Sequence, residues 1–137
     1  MNRSPYPDVS MSLEQCSLWA SVQGAGAAAP TIPTTTLSLT SSIQPMTPQD
    51  NYASTVAGDI TRSGVGLYTV KLKDSLPIIL DILPNVWGTD GKQAQMTDYN
   101  PTTRVITVKT YTSAGVAVDL ASTDNLKFNI LGRLSIG

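Results

Sequence analysis

The sequence contains no histidine and only one cysteine among its 137 residues. Without an imidazole the chain cannot form a Ser-His-Asp triad or a Cys-His pair, and most zinc and iron sites lose their commonest ligand. Cys16 cannot form an internal disulfide, so we expect a buried small hydrophobic residue there rather than a reactive thiol. We therefore predict a protein that is not an enzyme, with no catalytic residue, no metal and no cofactor.

Charge is also scarce in this chain. Asp, Glu, Lys and Arg make up 14% of the residues, and the net charge is -1. This charge balance does not indicate the excess of positive charge that attracts nucleic acid or an anionic membrane surface. No apolar run approaches the roughly 20 residues that span a bilayer, and the first residues contain no apolar signal-peptide core. We expect neither nucleic acid nor a membrane as a partner.

The acidic residues stand singly along the chain and form no recognisable site. No spacing singles out a pair of carboxylates for acid-base work, and Asp119 and Asp124 are predicted to be solvated residues that bracket a turn. The segment TDGKQAQMTD lacks the alternating carboxylates of a calcium loop. The segment GAGAAAP lacks the strand-turn-helix context of a phosphate-binding loop.

What the chain does have is the alternation of β-strands. In GVGLYTVKLKD, Tyr68, Val70 and Leu72 alternate with Thr and Lys, and a hairpin is predicted through Arg62 to Gly66. The last run, LKFNILGRLSI, alternates in the same way. Turns recur at intervals of roughly 8 to 14 residues, which is typical of a sandwich or jelly roll. We predict an all-β, single-domain jelly roll or β-sandwich of about eight strands.

The predicted boundaries follow from proline and glycine. Residues 1–11 are expected to form an extended N-terminal arm, and 12–137 the domain, with an exposed Pro-rich loop near 44–54. The run LPIILDILPNVW is apolar on both sides, with Ile79 and Leu83 opposite Ile78, Leu80 and Ile82. This pattern predicts either a central strand or a strand that a second subunit covers.

The aromatic residues are the best candidates for a contact surface. They could stack sugars, or they could pack at a subunit contact, where aromatic side chains are favoured. Trp87, beside Gly88 at the end of an apolar strand, is the best single candidate for a protein-protein anchor. The candidate protein-interaction residues are Arg3, Tyr6, Trp19, Ile79, Leu83 and Trp87.

Four ordered pieces of the chain carry a resemblance to a known family. They are a strand with a small Gly/Ala-Pro turn, WASVQGAGAAAPTIP; a strand pair within GDITRSGVGLYTVKLKDSLPIILDILPNVWG; and the turn GVAVDLA and the final strand within ITVKTYTSAGVAVDLASTDNLKFNILGRLSI. Together they resemble small structural proteins of tailed double-stranded DNA bacteriophages, in particular the capsid cement (decoration) proteins of short-tailed phages. The resemblance covers residues of about 16 to 34 and 57 to 136, and the segment of about 35 to 56 is extra to it.

The resemblance implies a function in the virion. Such a protein is a homodimer or homotrimer on the outer surface of the capsid, made in the host cytoplasm, and it bridges neighbouring subunits of the major capsid protein. Clamps across subunit boundaries stabilise a shell because their buried area must be lost before the shell opens. The alternatives are another virion component, such as a tail, neck or head-fibre protein, and a carbohydrate-binding β-sandwich.

Overall fold

The computed structural model describes residues 15–33, 51–73, 78–88 and 90–133. These residues form strands and turns and no helix. The strands are β1 (Gln15–Gln23), β2 (Ile60–Gly64), β3 (Leu67–Lys71), β4 (Ile78–Trp87), β5 (Gln93–Asn100), β6 (Val105–Tyr111) and β7 (Asn125–Arg133). The all-β prediction is confirmed. The predicted arm 1–11 and residues 44–50 of the Pro-rich loop lie outside the described residues.

The seven strands form two antiparallel sheets, consistent with a β-sandwich. The three-stranded sheet has the order β1-β7-β4, and the four-stranded sheet has the order β2-β3-β6-β5. The predicted hairpin is present between β2 and β3, with Val65 and Gly66 at its tip. Gly66 has a φ of 66°, a left-handed conformation that glycine adopts without steric cost.

The hydrophobic core is shared by the two sheets. Successive side chains of a strand point to opposite faces, and in β7 this places Leu126, Phe128 and Ile130 inside, each at most 2% exposed. Tyr68 and Val70 of β3 are buried in the same way, as their alternation predicts. The other buried apolar residues are Ala20, Val22, Ala53, Leu72, Ile106, Val108 and Leu120.

Strand β4 is not the central strand that was one of the two alternatives for this run; the other alternative, a strand that a second subunit covers, stays a prediction. It lies at the edge of the three-stranded sheet and not in its centre, which suits Pro84, since proline cannot donate to a neighbouring strand. A bulge between Ile79 and Asp81 inserts Leu80 as an extra residue. The inward alternation is therefore shifted by one residue, so that Ile79 packs against the core together with Ile82, while Leu80 and Leu83 are exposed.

At the described end of the Pro-rich loop, Asn51, Ala53 and Ser54 are buried and Tyr52 is partly buried, so this end is not exposed as predicted. The Asn51 side chain accepts the Ser21 amide at 2.9 Å and donates to the Ser21 carbonyl at 2.6 Å, as a neighbouring strand would. The Tyr52 amide donates to the Trp19 carbonyl, and the Ser54 amide to the Lys71 carbonyl. This segment joins β1 of one sheet to the end of β3 in the other, so it belongs to the framework of the sandwich.

Candidate protein-binding face

The side of the three-stranded sheet that points away from the core is the candidate site. The strand register aligns Trp19 of β1, Asn129 of β7 and Leu83 of β4 in one row across the sheet. We call this side the outer β7 face. Its other members are Ser17, Asp81, Asn85, Trp87, Lys127 and Leu131.

Large apolar side chains lie open on the outer β7 face. Leu83 is 58% exposed, Trp87 is 55% exposed and Leu131 is 37% exposed, and Leu80 at the bulge of β4 is 46% exposed. A shallow groove of about 260 Å³ runs between Ser17, Leu83 and Leu131. Leu83 and Leu131 lie in neighbouring rows of the sheet, and Asn85 separates Leu83 from Trp87. Clusters of exposed apolar side chains mark interaction sites more often than single ones do.

Polar groups lie among the apolar side chains of the same face. The Lys127 ammonium lies 5.7 Å from the centroid of the Trp87 ring, which is a cation-π distance. Trp19 is half-buried, and its backbone carbonyl is bonded to Tyr52. Asn85 and Asn129 are exposed between these side chains. The face therefore combines aromatic rings and apolar side chains with a cation and amides.

The opposite side of the molecule has a different composition. The outward positions of the four-stranded sheet include a row of three threonines, Thr61, Thr69 and Thr107, in register across β2, β3 and β6. Lys71 and Lys109 lie in neighbouring rows. Apolar exposure is thus concentrated on the three-stranded sheet, apart from separate turn residues such as Val65 and Val116.

The predicted contact residues divide into three groups. Trp19, Leu83 and Trp87 are brought together on the outer β7 face, Ile79 packs against the core, and Arg3 and Tyr6 lie outside the described residues. The prediction for Ile79 assigned it to the wrong side of β4 because the bulge could not be seen in the sequence.

Sequence reasoning also missed two exposed members of this region. Leu131 lies on β7 between the inward-facing residues Ile130 and Gly132. Strict alternation along this strand was therefore a signal that could have identified Leu131 as exposed. Leu80 carries no such signal, because only the bulge exposes it.

A polar network locks two of the motif pieces to one another. Arg62 binds the Asp119 carboxylate with two hydrogen bonds, at 2.9 Å from Nε and 2.8 Å from Nη2. The amide of Gly66 and the hydroxyl of Tyr68 also donate to Asp119, and the Leu120 amide donates to that same hydroxyl at 2.8 Å. The ITRSGVGLY strand pair and the VDLA turn therefore form one structural unit.

The Asp119 carboxylate differs from the solvated turn residue that the sequence predicts. The hydrogen bonds from Arg62, with further help from the Gly66 amide, lower the pKa of Asp119 from 3.8 to about 2. Its side chain is 23% exposed. The charged Asp119 carboxylate therefore links the β2-β3 hairpin to the segment that follows β6.

Asp124 is likewise buried and not solvated. Its side chain is 1% exposed and lies 2.5 Å from the Nζ of Lys92, whose side chain is 8% exposed. The hydrogen bond to Asp124 raises the pKa of Lys92. Asp90 approaches the same Nζ at 3.4 Å.

Within the part of the chain that the structure describes, no three His, Cys, Asp or Glu residues are grouped so that they could hold a metal ion. The same residues include no helix long and apolar enough to cross a membrane. Searches of protein-family models, of curated proteins and of solved structures found no match to this chain.

Proposed function

We propose that this chain is a structural protein of a tailed-phage virion, a capsid cement protein that binds the outside of the head. In this proposal it bridges neighbouring subunits of the major capsid protein and stabilises the shell. The observation that carries the proposal is the outer β7 face, where Leu83, Trp87 and Leu131 are open to solvent on one side of an otherwise well-packed sandwich. The four motif pieces resemble capsid cement proteins, and this resemblance is the reason for proposing the phage head as the binding location.

The chemistry of the face fits a protein partner. Aromatic and apolar anchors surrounded by polar groups are the usual composition of a protein interface. Lys127 lies at a cation-π distance from Trp87, so a polar group stands beside the aromatic anchor. The polar side of the four-stranded sheet then faces solvent.

The test is binding of the purified chain to heads of the parent phage that lack it. Trp87→Ser and Leu83→Ser are each expected to weaken binding by about 30-fold or more, since a central anchor contributes at least about 2 kcal/mol. Val116→Ser is the matched control, because Val116 is 63% exposed but lies in a turn outside the outer β7 face. Equal binding by all three variants and the unaltered chain would refute this use of the face.

Further measurements separate capsid cement from other virion components and determine the oligomeric state. If the protein is found only on isolated tails, it is a tail or neck component and not capsid cement. Sedimentation of the free chain at several concentrations shows whether it is a homodimer or homotrimer. A cement protein is further expected to raise the melting temperature of the heads to which it is added.

A second candidate is binding of carbohydrate by the same face. Trp19 and Trp87 lie on one side of the sheet with the exposed amides of Asn85 and Asn129, and aromatic rings with amides are the groups that stack and hydrogen-bond sugar rings. Saturable binding to a glycan array that Trp87→Ala abolishes, with no binding to heads, would favour this function over the first.

A further inference from the structure

Lys92 and Asp124 form a buried pair of an amine and a carboxylic acid. Each of the two residues stands at the start of a strand, one in each sheet. Lys92 directly precedes β5 of the four-stranded sheet, and Asp124 directly precedes β7 of the three-stranded sheet. Their side chains are 8% and 1% exposed, and the Nζ-Oδ2 distance is 2.5 Å. The ammonium and the carboxylate are therefore in direct contact as a charge-assisted hydrogen bond.

The two oxygens of Asp124 have different surroundings. Oδ2 accepts both Lys92 and the backbone amide of Ala121, the latter at 2.8 Å. Oδ1 is buried and has no hydrogen-bond partner among the described residues. The backbone of Gly88 lies against Oδ1 so closely that a Cβ on Gly88 would collide with it. A buried oxygen without a hydrogen bond carries a desolvation cost.

We propose that Lys92 and Asp124 condense to form an intramolecular isopeptide bond. A proton passes along the existing hydrogen bond from Nζ to Oδ2, which leaves a neutral amine beside a neutral carboxylic acid. The transfer takes place within the pair, so no proton is lost to solvent. The Nζ lone pair then attacks Cγ and forms the new N-C bond.

The remaining groups complete the reaction with atoms in balance. The Ala121 amide, which donates to Oδ2, holds the carboxyl group in position for the attack on Cγ. Asp90, whose carboxylate is 3.4 Å from Nζ, takes a proton from the attacking nitrogen and returns it to the departing Oδ2 hydroxyl. The C-Oδ2 bond breaks, Oδ1 becomes the oxygen of the new amide, and one water molecule leaves, so no oxidant, reductant or metal is needed.

The surroundings favour the amide product. Condensation replaces two buried charges, which are costly to desolvate, by one neutral amide. Two groups held in contact react with an effective concentration of about 10⁵ M or more, which opposes hydrolysis of the bond. The bond would tie the two sheets together covalently and close a ring around β5 and β6. This inference is independent of the binding function proposed above.

The test is the intact mass of the purified full chain under denaturing conditions. The expected mass is that of the sequence less one water molecule, and the Lys92→Arg variant is expected to have its full sequence mass. In a tryptic digest, the chain is expected not to be cut after Lys92 and to give a branched peptide that contains both Lys92 and Asp124. A population entirely at the full sequence mass would overturn the proposal.

Two control measurements distinguish the isopeptide bond from a different loss of water. Asp90-Gly91 can also lose water, by forming a succinimide. That loss of water would persist in the Lys92→Arg variant and would give no branched peptide. Loss of water that persists in Lys92→Arg without a branched peptide would therefore also overturn the proposal. Asp90→Ala is expected to slow the condensation, and an unchanged rate would overturn the role given to Asp90. If a variant fails to fold, the peptide map of the unaltered chain decides the question by itself.

Discussion

The bond between Arg62 and Asp119 gives a prediction whose size can be worked out from the structure. Asp119→Asn keeps the shape of the side chain but removes its charge and half of the double hydrogen bond with Arg62. A pKa lowered from 3.8 to about 2 corresponds to roughly 2.5 kcal/mol of folding free energy at neutral pH. Because the side chain is 23% exposed, screening by solvent reduces the expected loss to about 1–2 kcal/mol.

The sign of the pH dependence follows from the direction of the shift. The pKa of Asp119 is lower in the folded state, so this stabilisation is complete above about pH 4 and is lost as the pH falls towards 2. The difference in unfolding free energy between the unaltered chain and Asp119→Asn is therefore expected to shrink over this range.

Urea unfolding, followed by tryptophan fluorescence at neutral pH and at about pH 2.5, measures both quantities. Asp98→Asn is the matched control, because Asp98 lies exposed on the outer side of β5, and it is expected to change the free energy by less than about 0.5 kcal/mol. The reasoning is refuted if Asp119→Asn is as stable as the unaltered chain at neutral pH. It is refuted equally if the difference between the two is the same at both pH values.

Three further substitutions test other parts of the structure. Gly66→Ala is expected to cost more than about 2 kcal/mol, because it combines a positive φ with a Cβ that would collide with backbone oxygens. Gly115→Ala, with a positive φ in open space, is its control and is expected to cost about 1 kcal/mol. Asn51→Ala leaves a buried amide and carbonyl of β1 without partners and is expected to cost about 2–4 kcal/mol in urea unfolding, whereas the exposed Asn129→Ala is expected to be nearly neutral. Trp87→Ser is expected to leave the melting temperature within a few degrees of that of the unaltered chain, and a large fall would mean that the ring supports the fold and is not a contact residue.

The alternation of apolar and polar residues along the sequence predicted strands β3 and β7 and their buried sides. The buried sides of β3 and β7 follow directly from residues such as Val70 and Phe128, because alternation in an extended chain is a property of the strand itself. Trp19, Leu83 and Trp87 lie on the outer β7 face because each is next to an inward-facing neighbour along its strand; that they contact a partner stays a prediction.

The errors have a common physical cause, which is contact between distant parts of the chain. Asp119 and Asp124 look like solvated turn residues because their partners, Arg62 and Lys92, are 57 and 32 residues away. Asn51 stands beside a proline-rich run, yet its side chain takes the place of a strand next to β1. No local pattern contains these pairings.

The segment around Asn51 also has a consequence for how copies of this chain can associate. An uncovered strand edge invites another strand to add to it and permits open-ended growth. Here the side chain of Asn51 occupies the donor and acceptor of Ser21 on β1, while Pro84 removes a donor from β4 on the other edge of the same sheet. Both edges of the three-stranded sheet are thus protected against strand addition at these points, whereas the outer β7 face between them is left open to solvent.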